Sequence, residues 1–202
     1  MIHISGSARR AFTFPAPLPV AYAYYADVSR LLNYLPHISL VRAFGPDRFR
    51  LLYHSLELGA YRIRIYADVQ TTLEKGWVLR VHPLEGITPV SPKAGLHSAT
   101  THGYFSSRSV FYDAGEETRI EYSLQLEGKL PVPLGLRFMP KSMVNHIAQS
   151  ITNMRIREVC EGFIERSIEA FPHWMAEMGN HRLSLIRDGT RPPLRFDASP
   201  AE

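Results

Sequence analysis

The sequence predicts an α+β protein, a curved antiparallel sheet of about seven strands wrapped around one long C-terminal helix, with two short helices after the first strand. Three observations carry that prediction. Residues 2–14 alternate apolar and polar side chains; segments of the same period follow one another from 38 to 130; and Ser142–Phe171 reads as a single long helix. A period of two marks a strand with one dry face, and a period of 3.6 marks a helix with one dry stripe.

In the first strand Ile2, Ile4, Ala8, Phe12 and Phe14 oppose His3, Ser5, Ser7, Arg9 and Thr13. "PAPLP" at 15–19 breaks it, and Pro19 suits a first helical turn, where an N–H has no partner to lose. Val20, Tyr24, Val28 and Leu31 then share one helical stripe. Asp27 and Ser29 are placed to cap a second short helix, a role that outweighs catalysis for Asp27, and Pro36 closes it. In "YRIRIYADVQTTL" the residues Tyr61, Ile63, Ile65, Ala67 and Val69 share a face, and "Glu74-Lys75-Gly76" turns the chain into a strand with Trp77, Leu79 and Val81 inward. His82 falls on the opposite side. Two further strands flank "Ala114-Gly115-Glu116" as a hairpin, the second with Ile120, Tyr122, Leu124 and Leu126 facing one way. Strand 48–58 carries leucines on both parities, which a bulge would explain. The Pro-, Gly- and Ser-rich stretch 83–100 is a long connection.

One domain is expected over 1–174 and a polar, Pro-bearing tail over 175–202. Hydrophobic content of 45% and charged content of 21% are those of an ordinary globular chain. The lone Cys160 forms no internal disulfide, and no signal-like or membrane-spanning run is seen, so the expected location is cytoplasmic, with peripheral membrane attachment left open. The net charge is +4, but the arginines are spread along strands rather than massed, so no nucleic-acid partner is expected.

This order of elements resembles the helix-grip superfamily of START lipid-transfer domains, polyketide cyclases and plant pathogenesis-related proteins (SRPBCC). The resemblance covers residues 2–172 and is carried by "FPAPLPVAYAYYADVSRLLNYLPHI" and by "LPVPLGLRFMPKSMVNHI", similar to the proline-broken lead-in to the closing helix of lipid- and quinone-associated branches. It implies a pocket between sheet and helix for an apolar or amphipathic molecule, without universal catalytic residues.

The long helix changes its apolar side. Val144, Ile147, Ile151 and Met154 lie in its first half, and Ile156, Val159, Cys160 and Phe163 lie roughly opposite in its second. If the second set faces the sheet, the same side carries Asn145, Gln149, Thr152 and Asn153 further back, a polar end for the pocket. The first set, with Leu134, Leu136, Phe138 and Met139, would then form an outward patch for a membrane through 130–144, for the tail or for a homodimer. A helix broken near Asn153 is the alternative.

The ligand-binding residues expected on this basis are Tyr61, Ile63, Ile65, Phe105, Ser107, Tyr122, Leu124, Asn145, Gln149, Thr152 and Ile156, several of which ordinary core packing would also explain. No catalytic residue, metal or cofactor is assigned: His54, His82, His97 and His102 match no familiar zinc spacing, and no nucleophile-elbow sequence occurs. Glu57 and Glu85 read as surface residues beside glycines. The leading function is binding or transport of a lipid, isoprenoid, quinone or pigment. The alternatives are a cyclase, dehydratase or hydrolase using pocket Tyr, Ser and Asn groups, and an assembly protein.

Overall fold

The computed structural model describes residues 1–187, with side chains through Gly179. Strand β1 (Ile2–Phe14) leads into the short helices α1 (Leu18–Ala26) and α2 (Val28–Leu31), the second continued by a 3-10 turn at Leu32–Tyr34. Asp27 caps α2 as expected, its carboxylate accepting from the Arg30 backbone N–H. Then come β2 (Ile38–Ala43), β3 (Arg48–Glu57), β4 (Tyr61–Glu74), β5 (Val78–Pro83), the two-residue β6 (Lys93–Ala94), β7 (Ser98–Ala114) and β8 (Glu117–Leu130). A 3-10 turn at Leu134–Leu136 precedes α3 (Lys141–Arg187).

The sheet order is β1-β8-β7-β5-β4-β3-β2, with β6 paired to β7. The pairing is antiparallel except where β5 has ended. There the first residues of β7, Ser98–His102, run parallel to Arg62–Tyr66 of β4. The hairpin at Gly115 has the positive φ of 81° that its turn requires. No bulge separates β3 from β4, whose register is continuous from Arg48–Gln70 to Glu57–Tyr61; the irregularity lies on the β2 side, between Leu40 and Arg42.

Two compact units are distinguished, Met1–Ile168 and a second that begins at Glu169. The first holds the sheet and an interior with two unlike ends. One end is solid. Phe14 lies 5.5 Å from Tyr24 and 5.3 Å from Tyr25, Tyr25 lies 5.3 Å from Phe111, and Tyr122 lies 4.9 Å from Phe163. The Tyr24 hydroxyl donates to the Ser167 carbonyl at 2.7 Å, and the Tyr25 hydroxyl meets Ser167 Oγ at 2.8 Å, so α1 is tied to α3 through buried polar atoms with partners. Cys160 is buried here, and desolvation pushes its thiol pKa up to about 11. The other end is hollow.

Helix α3 does not break at Asn153, nor does it stop at Phe171; it passes through Pro172 to Arg187. In the second unit Phe171 and Trp174 stack at 6.0 Å. Of the tail expected from 175, residues 188–202 lie outside the described residues. The apparent change of sides along α3 is one winding stripe. Val144, Thr152, Ile156 and Cys160 are buried at multiples of four, followed by Phe163 and Ser167. Four residues overshoot one turn by about 40°, so such a row drifts around the helix as it crosses a twisted sheet. The straight extension from Ile156 back to Asn145 is therefore wrong.

Two glycines set how closely α3 approaches. A Cβ on Gly6 would lie 3.2 Å from Thr152 Cγ2, and one on Gly162 would lie 2.6 Å from Pro36 Cγ. Gly162 is where the turn closing α2 presses on the helix.

Candidate functional site

The hollow end is a cavity of about 160 Å³ between the inner face of the sheet and α3. Ile2, Ile4, Ile63, Ile65, Phe105, Leu124, Leu126 and Leu130 form the sheet wall, and Val144, Ile147, Ala148, Ile151, Ile156 and Val159 form the helix wall. This volume is that of an engineered protein cavity holding one benzene ring. The cavity reaches the surface at the β3–β4 turn, where Leu58 both lines it and is 62% exposed.

Of the expected binding residues, Tyr61, Ile63, Ile65, Phe105, Leu124, Thr152 and Ile156 line the cavity. Thr152 offers it only a methyl, since its hydroxyl donates to the Ala148 carbonyl at 2.8 Å. Four others are not in its wall. Asn145 is exposed, on the flank of a stripe that has drifted away from it. Gln149 lies outside the cavity, its amide donating to the Ser5 carbonyl at 2.6 Å and to Asn153 at 3.0 Å. Tyr122 is buried in the solid aromatic end, where desolvation raises its phenol pKa far above the ordinary value, with a nearby Ser107 hydroxyl partly offsetting that rise. Ser107 also borders a shallow hollow on the other face of the sheet.

The proposed outward patch divides in the same way. Leu136, Met139, Val144, Ile147 and Ile151 line the cavity, whereas Leu134, Phe138 and Met154 are exposed.

A polar end does exist, on residues the sequence reading missed. Along β3 the inward positions run Phe49, Leu51, Tyr53, Ser55, Glu57, so the strand turns from oily to polar toward the mouth. Glu57, expected at the surface, is 6% exposed. Its carboxylate accepts two bonds from Arg155, from Nε at 3.0 Å and Nη2 at 3.2 Å, and Arg155 Nη1 donates to Glu158 at 2.6 Å. His37 Nε2 meets the other Glu158 oxygen at 2.8 Å. The bonds to Glu57, then those to Glu158, hold the Arg155 guanidinium strongly in its charged form. His37 first, and Arg155 second, keep the Glu158 carboxyl below its ordinary range. Two carboxylates thus face one guanidinium, and the cluster is neutral only when His37 carries a proton. Beside it burial raises the Tyr53 phenol, a rise that the neighbouring Ser55 hydroxyl partly offsets, although Ser55 Oγ is buried with no partner at full hydrogen-bond geometry. The signal was the period of two counted from Phe49, which the outward Leu52 and Leu56 obscured.

The rim of the mouth carries exposed apolar side chains. Phe138 is 96% exposed and Leu96 60% exposed. Their loops are joined, Leu134 N donating to the Gly95 carbonyl at 3.0 Å and Gly135 N to the Leu96 carbonyl at 3.1 Å. Exposed Lys93, Arg137 and Lys141 lie on the same segments or beside them in sequence, and exposed Arg62 donates its backbone N–H to the His97 carbonyl at 2.9 Å. Among the described residues no group of three or more His, Cys, Asp and Glu side chains is placed to hold a metal, and no helix is long and apolar enough to cross a membrane.

A curved sheet closed on a long C-terminal helix, with two short helices after the first strand and a hollow between the layers, is a helix-grip fold. Similar solved structures include a protein of Thermus thermophilus, 20% identical, covering 81% of this chain and 98% of its own, with a TM-score of 0.44. The Streptomyces aromatase/cyclase Zhui is 13% identical over 89% of this chain and 96% of its own, with a TM-score of 0.44. Human STARD10 is 10% identical over 92% of this chain and 72% of its own, with a TM-score of 0.48. No protein-family model and no curated protein matches the chain.

Proposed function

We propose that the protein binds and carries a hydrophobic molecule with a small, uncharged, hydrogen-bonding head. The observation that supports this reading is the graded wall of the cavity, oily along its length and ending at Ser55, Tyr53 and the Glu57–Arg155 pair. An ion pair enclosed at one end, as Glu57–Arg155 is at Glu57, is seldom the most stabilising filling for its space, so its presence beside an apolar hollow fits recognition. Arg155 is already matched by two carboxylates, which leaves no net positive charge for an anionic head. A hydroxyl or carbonyl would give Ser55 Oγ a better-placed partner than the Tyr53 phenol. The cavity takes one ring or a short chain. An enzyme using Tyr122, Ser107 and Asn145 is less well supported, because these groups do not converge on the cavity. Docking of the mouth on a membrane, with Phe138 inserted, is the exchange step that follows from this reading.

The test is extraction of the protein purified from its own cells, followed by mass spectrometry. A neutral amphipathic compound should copurify with the wild type and be depleted in Ser55→Leu. Recovery of nothing, or of phospholipid and fatty acid alone, would overturn the reading.

A further inference from the structure

The arginines that the sequence scatters among strands are partly gathered by the fold. On the face of the sheet away from the cavity, Arg9 of β1 stands opposite Ser123 of β8, Ser123 opposite Arg108 of β7, and Arg108 opposite Arg80 of β5. Ser7, Gln125 and Ser106 form the next row across the same strands. These side chains, with His82, border a shallow hollow of about 520 Å³.

The charges in this row are incompletely matched. Arg80 is held by Glu74 at 2.7 Å, but the Arg9 and Arg108 guanidiniums have no ion pair or hydrogen bond among the described residues. Neighbouring acids are engaged, Glu121 with Arg119 at 3.0 Å and Glu127 with the Gln125 amide at 2.9 Å. Like charges directly opposite one another on a sheet destabilise it, and in the Arg80–Arg108 register pair only Arg80 has a carboxylate to offset its charge. A local conflict of that kind marks a place where something other than stability is served.

The geometry points to a binding site for a phosphate-bearing ligand on this outer face. Adjacent strands lie about 4.8 Å apart, so Arg108 and Arg80 straddle a single phosphate, and Arg9, two strands from Arg108, reaches a second phosphate linked to the first. Guanidinium forks match phosphate oxygens in pairs, and the Ser106 hydroxyl supplies a further donor, that of Ser123 being turned to the Arg108 carbonyl at 3.5 Å. The site is separate from the cavity and does not depend on what the cavity holds.

Inorganic pyrophosphate is the probe. Added to the full chain, it should raise the melting temperature by several degrees more than potassium chloride at matched ionic strength, and titration calorimetry should give a saturable isotherm. Arg9→Gln and Arg108→Gln, both at exposed positions, should each weaken binding about tenfold or more, while Arg108→Gln leaves the unliganded protein at least as stable as the wild type. Vesicles containing phosphorylated inositol headgroups, compared with plain phosphatidylcholine vesicles, separate the two sources of phosphate. Binding lost in Arg108→Gln assigns the site to a lipid headgroup, and pyrophosphate binding without vesicle binding assigns it to a soluble ligand. A response no larger than that to chloride, binding that survives both substitutions, or binding of single-stranded RNA with none of pyrophosphate, overturns the proposal.

Discussion

Glu57 and Arg155 set a charged pair against an oily hollow, and the consequences are measurable one residue at a time. Glu57→Gln leaves Arg155 half-matched, still holding the more exposed Glu158. It should lower stability by about 1–2 kcal/mol, less than a fully enclosed pair because Arg155 is partly exposed. Glu57→Leu with Arg155→Met should recover most of that loss in denaturant melts while altering which compounds the cavity accepts. A double variant as unstable as the single one would show that the pair serves the fold. Glu158 adds a pH dependence. Its carboxyl is held below its ordinary range, so its pairing supports the folded state above that range and is lost as pH falls through the lowered value. Melts from pH 7 to pH 3 should show an acid-side decline that Glu158→Gln flattens. At this scale β3 is ambiguous in the sequence. Its inward row Tyr53, Ser55, Glu57 is polar and its outward row holds Leu52 and Leu56, so hydrophobicity selects neither face where the candidate site lies.

At the scale of elements, α3 shows which parts of the pattern were readable. The existence of the helix and its unbroken course past Asn153 follow from residues with good helical propensity. The direction of its buried stripe does not, because that depends on the twist of a sheet to which nothing in the helix itself refers. Asn145 and Gln149 were assigned inward by continuing a straight line, and the line curves. Gly162 gives an element-scale prediction in which two effects oppose each other. Replacing a helical glycine by alanine ordinarily stabilises by about 1 kcal/mol. At Gly162 the added Cβ meets the Pro36 ring at 2.6 Å, a rigid neighbour on a turn, so Gly162→Ala should instead lower the melting temperature. Gly179, with nothing within 4 Å, is the control, and Gly179→Ala should leave the melting temperature unchanged or raise it. Equal behaviour of the two variants would mean that Pro36 moves aside without cost.

At the scale of the Met1–Ile168 unit, the division into a solid aromatic end and a hollow end sets the cavity beside the β3–β4 turn and the joined loops at 95–97 and 131–140, which form its mouth. On the proposed function the bound molecule crosses that mouth, and folding of the chain gains nothing from leaving Phe138 96% exposed to water. Set against a membrane, the same ring is removed from water, a gain of about 2 kcal/mol. Exposed Arg137 and Lys141 beside it add about 1 kcal/mol each where the lipid is anionic. Vesicles rich in phosphatidylserine should therefore sediment the protein at low salt and release it at about 0.5 M salt, where the Debye length is shorter than the reach of those charges. Phe138→Glu should abolish sedimentation, and Arg137→Gln with Lys141→Gln should weaken it by roughly tenfold or more without changing the melting temperature. If transfer of a cavity-bound fluorophore between vesicles proceeds at the same rate in Phe138→Glu as in the wild type, the mouth does not exchange its contents at a membrane, and the ligand enters and leaves through water.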